Sequence, residues 1–265
     1  MSSYALQDLG KSFSSFRLWG YISAKTIQIR YRRNLLGMVW LVFSFAIPAF
    51  GIALVLSKLQ GLELNEHVPH VMFGFAGWYF ISDCLSQGGA ALTKNRSMLL
   101  QAPLGRSVFS LSMVLEQLIL FVVNIVTAAF IVSFFGWRPQ IEMVFLPLSI
   151  LIFAIAGLGS VMFLSIICAR IRDLRELISS IVRLSFFFTP IIWSATSRNL
   201  PPDSFLAVVA KYNPFTYYLD LLRMPLFGEW PTTFTLVFTS CSAVALIILG
   251  LIAIQKGGRS IAFFV

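Results

Sequence analysis

Three ionisable residues stand inside long apolar stretches of this chain: Asp83, Glu116 and Arg183. An unpaired charge in lipid is expensive, so such residues pair, line water or relay protons. Counted inward from the ends of their stretches, the three fall at similar depth. This predicts an intramembrane ion pair of Arg183 with Glu116 or Asp83, directly or through water. A proton relay is the sharper chemistry the same set would support. His67 and His70 have the i,i+3 spacing of a shared metal site, but they read as a solvated pair in a polar loop, and no metal is expected. The stretch "ALQDLGKS", Ala5–Ser12, ends like a phosphate loop. Ala5 stands where the first glycine is required and no strand precedes it, so that reading fails. Cys84, Cys168 and Cys241 are scattered, with no CxxC, which supports neither zinc nor a disulfide framework. No Ser/His/Asp set or nucleotide fingerprint occurs. The chain reads as a conduit and not an enzyme, with no cofactor of its own; energy from ATP would have to come from another polypeptide.

The densest positive charge, Arg30, Arg32 and Arg33, abuts the first oily segment, which begins near Leu35. Such a cluster meets anionic headgroups, each charge contributing about 1 kcal/mol at the membrane surface. Guanidinium forks also suit the oxygens of a phosphate. Either role places the cluster at the inner face of the membrane.

Composition fixes the solvent. Of 265 residues, 58% are hydrophobic and only 12% charged, and the mean hydropathy is +0.84. That excess cannot hide in one soluble core, and makes lipid the surroundings of much of the surface. The net charge of +9 then concerns membrane orientation, not nucleic acid. Six stretches approach the length of about 20 apolar residues that crosses a bilayer: 35–57, 71–92, 108–135, 144–169, 177–195 and 234–254. Basic residues gather in the leading segment, in alternate links and in the tail, which places both termini in the cytoplasm. The first 34 residues are mostly polar and the apolar run after them is too long for an h-region, so no cleaved signal peptide is expected. Gly157 and Gly159 would allow close helix contact. Pro48 and Pro190 would bend the first and fifth spans.

The expected fold is an all-α membrane protein, one transmembrane domain over 1–265, with three segments that do not span. Residues 1–34 hold an interface helix, its pattern clearest over Phe13–Ile29. It is either a passive anchor or a part that moves with a transport cycle. Residues 93–107 read as a short cytoplasmic helix, capped by Thr93 or Asn95 and ended by Pro103. It is either an ordinary loop or a docking element for a soluble partner. Residues 198–233 contain aromatic pieces cut by Pro214 and Pro225, each too short to span, which read as re-entrant.

Four stretches together resemble the membrane subunit of type-2 ABC exporters, in the branch that exports O-antigen and other lipid-linked polysaccharides across the bacterial inner membrane. They are "RYRRNLLGMVWLVFSFAIP", "SMLLQAPLGRSVFSLSMVL", "ARIRDLRELISSIVRLSFFFTPIIW" and "YNPFTYYLDLLRMPLFG". The resemblance implies a homodimer joined by two copies of a separate ATPase, which would carry the ATP and Mg. It implies a coupling helix with Asn95, Arg96, Met98, Leu99, Pro103 and Arg106 seated against that ATPase. It implies that spans one and five of both copies flank the path, and that the segment around Tyr212–Phe227 closes its outer end. "QAPLGRS" stands where relatives more often have an aromatic-Pro-Arg-Glu run, which touches the coupling contacts and not their place.

Sugar rings have apolar C–H faces that suit flat aromatic side chains. Candidates for the path are Trp40 and Phe43 on span one, and Phe186, Phe187, Phe188 and Trp193 on span five. Candidates for the outer gate are Tyr212, Phe215, Tyr217 and Tyr218. Teichoic acid, a drug or a lipid are alternative cargoes within the family. A proton-coupled secondary transporter, using Asp83, Glu116 and Arg183, and a membrane-embedded enzyme are readings from other classes.

Overall fold

The computed structural model describes residues 4–32, 37–101, 104–194 and 204–258. Among them every element is helical. The leading segment forms α1 (Tyr4–Ser14) and α2 (Phe16–Tyr31), two helices rather than one, meeting at Ser15. The first apolar run forms α3 (Val39–Gln60), with Pro48 inside an uninterrupted helix. It is followed by α4 (Leu64–Gly88). A 3₁₀ turn (Thr93–Asn95) leads into α5 (Arg96–Gln101), and α6 (Ser107–Ser133) returns along the bundle. Next come α7 (Leu146–Arg170) and α8 (Asp173–Phe188). Two short helices follow, α9 (Phe205–Tyr212) and α10 (Pro214–Leu226), then α11 (Thr233–Gly257).

Among the described residues, four stretches are long and apolar enough to cross a bilayer: α3, α6, α11 and Ile141–Arg170, which contains α7. On this measure four of the six expected spans are found. Helix α4 is long enough but carries Glu66, His67, His70 and Asp83. Helix α8 has only 16 residues, about 24 Å at the α-helical rise, short of a hydrocarbon core of about 30 Å. It stops at Phe188, before Pro190. The proline thus lies beyond the end of this helix and does not bend it, as the residue before a proline is disfavoured from helical geometry.

Helix α4 lies at the centre, its apolar residues Val71, Met72, Phe73, Ala76 and Phe80 all buried. Phe80, Phe121 and Phe153 join α4, α6 and α7, with ring centroids 5.1–5.7 Å apart. Helices α7 and α11 cross with backbones nearly touching. A Cβ on Gly159 would overlap the backbone of Leu246 and Ile247, so the small residue sets the approach.

Helix α1 ties the start of α6 to the end of α11. Its Ala5 N–H donates to Gln255 Oε1 at 2.9 Å. The Asp8 carboxylate, buried, accepts from the Arg106 and Ser107 N–H groups at 2.8 and 2.9 Å and from Ser107 Oγ at 2.7 Å. Helix α6 has no side-chain cap from its own N-cap residue, Arg106, so Asp8 satisfies its orphan donors from a distant helix. The segment that imitates a phosphate loop is thus a helix cap.

Candidate functional site

The bundle has two unlike ends, one holding α5 and the other α10. Near the α5 end, Arg30 on α2 forms an ion pair with Glu116 on α6. This corrects the expected partner. Arg183 is exposed on α8 and donates to Ser180 Oγ at 3.1 Å, one helical turn away, and it meets neither acid. Asp83 accepts from Gln87 Nε2 at 3.2 Å, and Gln87 Oε1 accepts from Lys94 Nζ at 3.1 Å. Helix α2 is held on α6 by Ser23 Oγ, which donates to the Ser112 carbonyl at 2.7 Å. Ile27, Tyr31 and Leu41 pack against Leu120 and Val123. That docking puts Arg30 within reach of Glu116, so the basic cluster is split: Arg30 is engaged, Arg32 is exposed, and Arg33 lies outside the described residues.

The segment expected to couple to a partner is helical, as a 3₁₀ turn followed by α5. Its capping differs from expectation. Thr93 Oγ1 and Asn95 Nδ2 donate backward, to the Ala90 and Ala91 carbonyls at 3.2 and 2.8 Å. Arg96 and Met98 are exposed, Leu99 is buried, and Arg106 is half-buried. Pro103 lies outside the described residues.

At the α10 end, Arg223 is 4% exposed. It donates to three carbonyls: Pro190 at 2.6 Å, Ile191 at 3.0 Å and His70 at 2.9 Å. A Cβ on Gly74 would overlap the guanidinium, so the glycine makes the slot. Burial lowers the Arg223 pKa to about 10, with Asp220 acting in the other direction, so it remains charged at neutral pH. This residue had not been singled out. The signal was available: a lone arginine in "LDLLRMPL" obeys the same rule applied to Arg183.

The histidines are not a solvated loop pair. Both lie in α4, ahead of its apolar stretch, with rings 6.4 Å apart. His67 is buried with Nε2 unpartnered, and a ring nitrogen of His70 lies 3.1 Å from the Trp193 carbonyl. Burial first, then the Arg223 charge, hold both imidazoles below their ordinary range. Among the described residues no group of three or more His, Cys, Asp or Glu could hold a metal.

The aromatic candidates separate into two groups. Trp40, Phe43 and Phe187 are exposed, and so is Tyr212. Phe186 packs on Phe75 and Trp78, and Phe215 on Trp78. Phe188 lies 6.3 Å from Phe205. Trp193 Nε1 donates to the Phe187 carbonyl at 3.3 Å. Tyr217 packs edge-on against Phe234 and tilted against Phe238, its hydroxyl donating to the Lys211 carbonyl at 2.6 Å. Tyr218 is buried against α11, with its hydroxyl 2.9 Å from Ser242 Oγ. The exposed members fall on α3, α8 and α9. Helix α8 presents most of its surface outward, with Val182 its only buried residue.

Comparison with known proteins places this arrangement. Residues 17–227 match the family of ABC-2 type transporters. The chain is similar to the O-antigen export system permease protein RfbA of Myxococcus xanthus, 24% identical over 205 residues, covering 73% of this chain and 77% of that one. A protein of the same description from Klebsiella pneumoniae is 22% identical over 200 residues, covering 75% and 76%. A second from Klebsiella pneumoniae is 20% identical over a similar span. With its long apolar helices and a family match over most of its length, this chain belongs to the ABC-2 type transporters, as a multi-pass membrane permease subunit.

Proposed function

We propose that this chain is the channel-forming subunit of an ATP-driven exporter that moves lipid-linked polysaccharide of the O-antigen type across the bacterial inner membrane. The observation that carries the reading is the similarity, over about three quarters of the chain, to proteins described as O-antigen export permeases. Two copies of the chain would enclose the path, and two copies of a separate ATPase would supply ATP hydrolysis with its Mg.

In this reading α4 and α8 cross the membrane with the four apolar stretches, and both termini are cytoplasmic. Helix α4 qualifies through its central packing, which hides its polar residues from lipid. Helix α8 qualifies as part of a path wall. Its outward face carries Arg183, Leu184 and Phe187, and a charge mid-helix belongs against water or a protein neighbour, not against lipid. Trp40 and Phe43 on α3 would join that wall, and Tyr212 would stand near the outer mouth. The exposed Arg96 and Met98 would meet the ATPase, while Asp8, capping α6 just after this segment, would pass the displacement into the bundle. Phosphate of the lipid carrier would meet Arg32 and Arg33 at the entrance, Arg30 being engaged by Glu116.

The test is genetic and chemical. Cells lacking this chain should accumulate undelivered lipid-linked saccharide on the cytoplasmic leaflet, and restoring the chain without its ATPase should not relieve the block. Relief that depends on the proton gradient and needs no ATPase would refute the proposal in favour of secondary transport.

A further inference from the structure

Between α2, α3, α4 and α6 lies a cavity of about 200 Å³, far larger than the roughly 30 Å³ share of one water. Its polar lining comes from Arg30, Tyr79, Asp83, Gln117 and Asn124. Gln117 is 2% exposed and Asn124 8%. Neither amide has a hydrogen-bond partner among the described residues, nor does the Tyr79 hydroxyl. The two amides lie on one face of α6, seven residues apart, and line the same space, where their polar atoms face the cavity. The remaining walls include the flat rings of Phe45, Phe80 and Phe121. Arg30, with 36% of its side chain exposed, forms the rim.

The charge balance narrows the ligand. Arg30 is paired with Glu116, and Lys94 reaches Asp83 through Gln87. Two cations face two acids, so the cavity has no positive surplus with which to prefer an anion. What it offers is mixed: amide donors and acceptors, a carboxylate acceptor, a phenol and aromatic faces. A neutral ring bearing several hydroxyls on one edge and C–H bonds on its face matches that set; a phosphate or an acyl chain does not. Resting on the export reading above, we infer that this cavity is a binding site for a single uncharged sugar ring. It takes a saccharide unit edge-on to Asp83, Gln117 and Asn124, beside the helix that carries the entrance arginines.

The test uses the full-length chain in nanodiscs with octyl β-glucoside as probe and octyl phosphate as competitor, so that both ligands carry the same tail. Saturation-transfer NMR should report the glucoside ring protons in contact with protein. Equimolar octyl phosphate should not displace them. Gln117→Leu and Asn124→Leu should each weaken binding at least fivefold, and Tyr79→Phe, which deletes one hydroxyl and preserves the ring, about twofold to threefold. The inference is overturned if octyl phosphate displaces the glucoside, or if all folded variants retain wild-type signal, which marks an adventitious additive only. ATP-driven saccharide export by the same preparation with its ATPase is read separately. Export without glucoside binding removes this site alone; glucoside binding without export removes the export reading alone.

Discussion

Two regions of the bundle use hidden polar side chains differently. At the α10 end, the buried Arg223 is matched by three backbone carbonyls and fitted against Gly74. Midway along α6, Gln117 and Asn124 are equally hidden, make no hydrogen bond to another described residue, and face a cavity. Polarity matched within the protein holds elements together; polarity turned toward a cavity is available to a ligand. The first region therefore reads as a clasp joining α10 to α4 and the segment just after α8, and the second is the place of the sugar site inferred above.

That contrast can be broken by mutation. The largest effect is expected for Arg223→Ala, which orphans the Pro190, Ile191 and His70 carbonyls and should cost about 3 kcal/mol or more. Thermal unfolding in nanodiscs would register it, and Gly74→Val should act in the same direction by closing the slot. Asp8→Ala should cost about 1–2 kcal/mol as a lost helix cap. Its signature is local, with faster hydrogen exchange at the Arg106 and Ser107 amides and no change at the α10 end. Gln117→Leu should not destabilise the fold, with a change within about 1 kcal/mol, because the amide faces the cavity and no described residue loses a hydrogen-bond partner. If it destabilises instead, Gln117 has a partner in the folded protein and the contrast fails.

The smallest effect concerns pH. His67 and His70 are held below the ordinary imidazole range by burial and by the Arg223 charge. The folded chain then refuses protons that the unfolded chain accepts. Stability is whole above the unfolded imidazole pKa of about 6.5 and falls as pH drops through it. A melting temperature that declines between pH 7 and 5, and declines less in His67→Gln with His70→Gln, would bear this out.

Much of this was legible in the sequence. Long apolar runs located α3, α6, α7 and α11 closely, because length and hydropathy leave a membrane helix few alternatives. The short helix after α4 was visible from Pro103 and the polar residues before it. Pairings were not legible. Arg183 and Glu116 have matching depth along their helices, but depth says nothing of which faces meet. The partner of Glu116 came from α2, whose docking depends on the Ser23–Ser112 bond. The burial of Tyr218 and the packing of the half-buried Phe186 were hidden among 26 phenylalanines and seven tyrosines that look alike in one dimension. Arg223 and Asp8 escaped notice for another reason. One sits in a segment cut by Pro214 and Pro225, and the other inside a stretch that imitates a phosphate loop.

The central claim is that this permease moves saccharide by means of a separate motor. Proteoliposomes holding the chain and its ATPase, with fluorescent lipid-linked saccharide in the leaflet facing the nucleotide, test it directly. The account predicts that ATP, and not a pH gradient, carries the label to the opposite leaflet, and that omitting either polypeptide abolishes transfer. Transfer by the chain alone under a proton gradient, with ATP and the ATPase making no difference, would contradict it.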